Sequence, residues 1–255
     1  MNEISLEEQL KRLRLSGILD TFENRLSQAR EMGLSHREWL TLILQDEIQR
    51  RDGLSLSKRF KKANFEQQKT FEDYDNSRYP LATQHLIRDL KNGHYLKESR
   101  HVLIEGPTGS GKTHLAQALG HQGCRQGNHV KFIRSTVLFR EMKASRADNT
   151  WEKSLKKFTT PDLLIIDDFG LSALNHTQAE DIYEIVAERH LKASLVFTSN
   201  RKIEAWVNLF PDPAMGNAVV DRLMNQSDVI ILEGESYRRK LKLNASTQPQ
   251  KEGKK

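Results

Sequence analysis

From residue 6 to residue 48 the apolar positions recur at spacings of three and four. Leu6, Leu10 and Leu13, then Leu15, Leu19, Phe22 and Leu26, mark one face of a helix, with Gly17 placed to break or kink the run. Gly33 ends this pattern. Ser35-His-Arg-Glu38 has the form of a capping box, flanked by Leu34 and Trp39 as a hydrophobic staple. It predicts a further helix through Leu40, Ile43, Leu44 and Ile48. After residue 100 the pattern changes: wholly apolar runs at Val102–Ile104, Leu163–Ile166, Leu195–Phe197 and Val229–Leu232 are separated by helical periodicities, and His129–Arg134 alternates as a strand. Runs apolar on both faces are what buried parallel strands require, so the pattern predicts an α/β domain. A helix through Leu81, His85, Leu86 and Leu90, ended by Asn92-Gly93, belongs with it. The reading is a small all-α N-terminal domain over 1–70, an α/β domain over 71–243 and a basic, disordered tail over 244–255.

The candidate chemistry lies where these apolar runs end. The first runs into Gly106-Pro107-Thr108-Gly109-Ser110-Gly111-Lys112-Thr113-His114, followed at once by an Ala/Leu-rich helical pattern. Strand, G-x-x-x-x-G-K-[ST] loop and helix together are the phosphate-binding P-loop. Its glycines let backbone N–H groups curl toward phosphate oxygens at a helix N-terminus. Lys112 reaches the β- and γ-phosphates, and the Thr113 hydroxyl can ligate Mg²⁺. The second run ends in Asp167-Asp168, at the carboxyl edge where α/β proteins place ligands. There Asp167 would hold Mg²⁺ and Asp168 would polarise the attacking water. The run Ser194–Ser199 ends at Asn200, which either orients the water or γ-phosphate or simply caps the strand.

Charge adds one element to this picture. A net charge of +6 and an isoelectric point near 9.3 favour a polyanionic partner. The excess is local. Lys58-Arg-Phe-Lys-Lys62 clusters basic residues about an aromatic, and Leu138–Leu155 reads as a helix–loop–helix whose neighbourhood carries Arg140, Lys143, Arg146, Lys153, Lys156 and Lys157. Both fit solvated helix faces, and both fit contacts to a DNA phosphate backbone. The single cysteine, Cys124, has no metal-ligand spacing and reads as packing, with no internal disulfide possible. No apolar run approaches membrane-spanning length, and the acidic start lacks the apolar core of a secretion signal, so a cytoplasmic location is expected.

The series GPTGSGKTHLA, LLIIDDFG, VFTSN, DRL and GESYRRK, in that order and spacing, resembles the AAA+ ATPases of the bacterial helicase-loader branch, above all the IstB-like transposase helpers. The resemblance spans nearly the whole chain. It implies a five-stranded parallel sheet, ATP and Mg²⁺ as cofactors, and an oligomer with its ATP sites at subunit interfaces. It also implies that Arg222 in Asp221-Arg222-Leu223 is an arginine finger acting on a neighbouring subunit, Asn200 a sensor 1 residue and Arg238 a sensor 2 residue. Read from the residues alone, either arginine could instead make a structural ion pair, with Arg189 and Arg239 as substitutes. Most AAA+ proteins have Asp-Glu where this chain has Asp167-Asp168, which bears on hydrolysis rate more than on ATP binding. Little chain follows the last strand, so the usual helical lid is not expected. The function implied is an ATPase that oligomerises on DNA, with duplex preferred and little base specificity, and that recruits or activates a cognate transposase. A replicative helicase loader shares the core; a small-molecule kinase would need neither DNA nor an arginine supplied in trans.

Overall fold

In the computed structural model residues 5–233 are described, and they fall into two units that meet between Lys58 and Arg59. The expected boundary near residue 70 thus lies 12 residues later than the observed one. The last turn of the long third helix belongs to the second unit because Phe60 packs there beside Phe65 and His121.

The first unit comprises α1 (Leu6–Arg12), α2 (Ser16–Met32) and most of α3 (His36–Ala63). The capping box at Ser35 and Glu38 forms as expected, with reciprocal backbone hydrogen bonds of 2.8 and 3.3 Å. A second box, Ser5–Glu8, starts α1. Gly17 does not break the run; the break falls at Leu13–Leu15. Gly17 instead permits close approach, since a Cβ there would sit 2.8 Å from the Glu47 Cα on α3. The buried Glu47 carboxylate then accepts the N–H groups of Gly17 and Ile18, satisfying two donors that a helix start leaves open. Leu10, Ile18 and Ile43 form a small core, edged by Phe22 and Trp39 in a T-shaped pair.

The second unit adds α4 (Leu81–Lys91), α5 (His94–Lys97), β1 (His101–Glu105), α6 (Lys112–Arg125), β2 (Val130–Arg134), α7 (Ser135–Ala147), α8 (Trp151–Thr159), β3 (Leu163–Phe169), α9 (His176–Arg189), β4 (Ser194–Ser199), a 3-10 segment (Ile203–Leu209), α10 (Pro213–Asn225) and β5 (Ser227–Ile231). The five strands are all parallel, in the order β2-β3-β4-β1-β5. Leu163 through Ile166 are fully buried, as a central strand with helices on both faces demands. Cys124 is buried on α6, and burial pushes its thiol up to about 11, so it packs and does not react.

The other end of the sheet is held by an arginine. Arg189 is fully buried and donates to the carbonyls of Phe158, Thr159, Pro161, Asp162 and Ser194 at 2.5–3.2 Å. Burial lowers its pKa to about 10. It is a structural residue and not a substitute arginine finger, because it is fully buried and both terminal nitrogens of its fork are bonded to carbonyls of its own chain. Arg189→Met should lower the unfolding free energy by about 3–5 kcal/mol, since five carbonyls lose their donors in a dry site. Urea denaturation measures this, and a change below about 1 kcal/mol would remove the role.

Candidate functional site at the carboxyl edge of the sheet

The P-loop leaves β1 and re-enters helix at Lys112, with Gly111 as N-cap at φ +97°, a left-handed conformation that side chains resist. The Lys112 ammonium lies within the loop and donates to the carbonyls of Gly106 and Pro107 at 2.7 and 2.9 Å. The Gly106 N–H is bonded to the Ser199 carbonyl, which ties the loop to the tip of β4. Ser110 keeps a buried hydroxyl with no hydrogen-bond partner among the described residues. These are the features a phosphate cradle requires.

Thr113 and Asp167 come together as the sequence predicts. The Thr113 hydroxyl is 3.0 Å from both carboxylate oxygens of Asp167, which is almost fully buried. The sequence reading missed the third member. The Thr198 hydroxyl donates to Asp167 at 2.6 Å and accepts the Asp168 N–H at 2.9 Å. Burial raises the Asp167 carboxyl above its usual range; the Thr198 and Thr113 hydrogen bonds oppose this, and the neighbouring Asp168 charge adds to it. A carboxylate desolvated in this way, beside a hydroxyl and next to a phosphate cradle, is a hard-oxygen donor set suited to Mg²⁺. That ion takes one or two protein ligands and completes its shell with water and phosphate oxygens.

Asp168 sits at φ +56°, also left-handed, where the pairing of β3 with β4 shifts register between Ile166 and Phe169. Its carbonyl accepts the Ser135 hydroxyl at 2.8 Å and its side chain is half-buried. Strain of this kind, held in place from both sides, marks a position where a side chain has been re-aimed. Asn200 lies at the carboxyl end of β4 and is exposed, one residue beyond the buried part of the strand.

The segment just before α4 also reaches the loop. Arg78 and Tyr79 both donate to the Ser110 carbonyl, the arginine at 2.7 Å, and Tyr74 bonds to Tyr79 at 3.3 Å. The His114 ring turns to this segment, 3.0 Å from the Thr70 carbonyl and edge-on to Tyr74, so it braces the loop from outside. In the sequence this brace is marked by Asp73, Tyr74, Asp75 and Tyr79 just before Pro80.

Arg222 is not joined to the P-loop by any hydrogen bond or ion pair among the described residues. It lies on α10, over the Tyr183 ring at 5.1 Å, and donates to the Ala218 carbonyl. Arg238 and Arg239, like the tail over 244–255, lie outside the described residues. Of the basic residues on α7 and α8, Arg140, Lys143, Lys153 and Lys156 are exposed. Arg146 is the exception: its guanidinium pairs with the buried carboxylate of Asp181 and covers the Trp151 ring, which makes it an internal ion pair in place of the expected surface contact. No described helix is long and apolar enough to cross a membrane.

The family model for the IstB-like ATP binding protein matches residues 8–245. A protein of Mycobacterium tuberculosis named as an ATP-binding protein in an insertion sequence is 38% identical over 235 residues, 92% of this chain and 94% of its own. Among solved structures, the helicase loader DnaC aligns with a TM-score of 0.53 at 22% identity, over 69% of this chain and 99% of that one. The replication initiator DnaA bound to AMPPCP and single-stranded DNA aligns with a TM-score of 0.59 at 18% identity, over 74% of this chain and 58% of that one. With a P-loop, a buried Asp167 hydrogen-bonded to Thr113 of that loop and a five-stranded parallel sheet, the chain belongs to the family of IstB-like ATP-binding proteins.

Proposed function

We propose that this protein is an ATPase that assembles on duplex DNA in its ATP state and there recruits or activates the transposase of an insertion sequence. The observation that carries the ATPase half is the Thr113–Asp167–Thr198 cluster next to the P-loop lysine. In this reading the loop amides and Lys112 hold the β- and γ-phosphates. Thr113 and Asp167 hold Mg²⁺, which neutralises charge on the transferring phosphoryl group. Asp168, re-aimed by its left-handed backbone, orients and polarises the attacking water, with Asn200 beside it and Arg238 on the phosphates.

Arg222 serves the neighbouring subunit. Its place on α10, apart from its own P-loop, fits a finger that completes a site in trans; in the single chain the guanidinium rests on the Tyr183 ring and the Ala218 carbonyl. ATP at such an interface stabilises the oligomer by mass action. DNA binding is assigned to Arg140, Lys143, Lys153 and Lys156 on α7 and α8, exposed cations that can meet backbone phosphates. The insertion-sequence name of the relative supports a transposase as the partner, and the DNA in the initiator structure supports a nucleic-acid role for this fold.

Turnover per subunit should rise with protein concentration and with added duplex, while light scattering reports a growing particle. Flat turnover unaffected by DNA would overturn the reading, and a preference for single strands would replace it with a helicase loader. In the same assay Arg222→Ala should keep nucleotide affinity yet lose turnover on the order of 10³-fold; wild-type rates would place the finger elsewhere. Lys112→Ala should abolish ATP-dependent assembly, read by light scattering with and without nucleotide. Thr198→Val should cut turnover about 10–100-fold and raise the Mg²⁺ concentration needed for half-maximal rate, because Asp167 loses its orienting donor. An unchanged Mg²⁺ requirement would take Thr198 out of the site.

A further inference from the structure

At the amino ends of β2 and β3, away from the nucleotide edge, the second unit carries an open groove of about 270 Å³. It is lined by Arg59, His129, Val130 and Pro161 together with Lys62, Lys131 and Lys157, which come from three separate elements. Lys62 comes from the end of α3, Lys131 from the outward position of β2 between buried Val130 and Phe132, and Lys157 from the last turn of α8. None of the three lysines has a carboxylate within 4 Å among the described residues. Asp162, the acid next to Pro161, instead accepts the His129 backbone N–H at 2.7 Å.

The groove is rigidly built. The Arg59 guanidinium donates to the Cys124 carbonyl at 2.9 Å. The buried Arg189 holds the carbonyls of Phe158, Thr159, Pro161 and Asp162, which fixes the segment following Lys157. Asp148 is the acid whose carboxyl Lys157 helps to hold below its usual range, and it makes no direct ion pair with that lysine. Three like charges brought together without a direct ion pair repel one another, a cost that an anion would offset.

We infer that this groove is a second phosphodiester site, which seats the backbone of duplex DNA on Lys62, Lys131 and Lys157. The inference rests on the DNA-binding reading above and extends it to the opposite end of the sheet. Two observations favour nucleic acid over an acidic peptide. The convergent groups are lysines, whose ammonium is a flexible point charge that tolerates a sliding phosphate, whereas a fixed carboxylate is best met by an arginine fork. The groove is also continuous with the proposed DNA face: Lys153, Lys156 and Lys157 share one side of α8 at spacings of three and four. The four residues from Lys153 to Lys157 rise about 6 Å along the helix, roughly the axial span of two nucleotides of one strand. A duplex tracked along α8 therefore runs into the groove.

The test uses the full chain with a nonhydrolysable ATP analogue and a fluorescent duplex of arbitrary sequence, with anisotropy read across a salt series. The triple variant Lys62→Gln, Lys131→Gln, Lys157→Gln should weaken binding about tenfold or more at fixed salt and reduce the slope of log K against log salt by about 2–3. Its melting temperature and analogue affinity should match wild type, and the triple Lys→Arg variant should restore most of the slope. An unchanged slope in the glutamine variant overturns the groove while leaving the proposed function standing, and so does an equal loss in the arginine variant. Retained duplex binding with lost binding of polyglutamate would overturn it in favour of an acidic peptide. Wild-type protein with no duplex affinity even at low salt would remove the proposed function itself, and the groove with it.

Discussion

A parallel sheet covered on both faces has no wet side, so its polar chemistry can emerge only at the strand ends. The structure follows from that constraint. Every residue of β1 and β4 is buried, as are Leu163–Ile166 of β3, and the polar residues stand at the strand ends: His101 and Ser194 at the amino edge, Glu105, Asp167, Thr198 and Ser199 at the carboxyl edge. A carboxylate at that edge is only partly rehydrated. Asp167 is tolerated because two hydroxyls, one from the P-loop helix and one from the neighbouring strand, bond to it directly. The same bonds fix the register between loop, β3 and β4, so the polar cluster positions the elements that surround it.

Two consecutive acids raise a geometric difficulty, since consecutive residues of a regular strand face opposite sides. The chain resolves it by leaving the regular strand. Asp168 takes a left-handed conformation, the pairing with β4 slips by the end of the strand, and Thr198 and Ser135 hold the distorted peptide from either side. An acid is among the few non-glycine residues that accept this conformation at modest cost. The strain falls where the proposed hydrolysis needs a carboxylate turned out of the pleat.

The arginines illustrate how far burial, and not charge alone, assigns a role. Arg189 is consumed by carbonyls at the amino edge, Arg146 by a buried aspartate, and Arg78 by the P-loop carbonyl of Ser110. Arg222 rests on an aromatic ring on a helix face. The lysines of α8 and Lys62 stay exposed and Lys131 half-buried, none in a direct ion pair among the described residues, which makes them the cations that a polyanion would meet. Nucleotide chemistry at one end of the sheet and backbone binding along α8 to the other end would leave each surface unobstructed by the other.

The signals that set the sheet and the P-loop were legible along the chain, whereas the Ser5–Glu8 box, equally local, emerged only in the structure. Apolar runs placed four strands and an alternating one the fifth, the P-loop spacing placed Lys112 and Thr113, the acid pair placed Asp167 and Asp168, and Ser35–Glu38 started its helix where the box required. Such features depend on residues within a few positions of one another, so linear order suffices to find them. What only the folded chain decided were pairings between distant residues. Thr198 is 31 residues from Asp167 and Glu47 is 30 from Gly17, Tyr79 is 31 from the loop it braces, and Lys62, Lys131 and Lys157 meet from three elements. A threonine in a strand or a lysine on a helix looks alike in sequence whether it faces solvent or a buried carboxylate. The hydrogen bond, the desolvation and the convergence of charge that give it a role exist only once the sheet has brought its ends together.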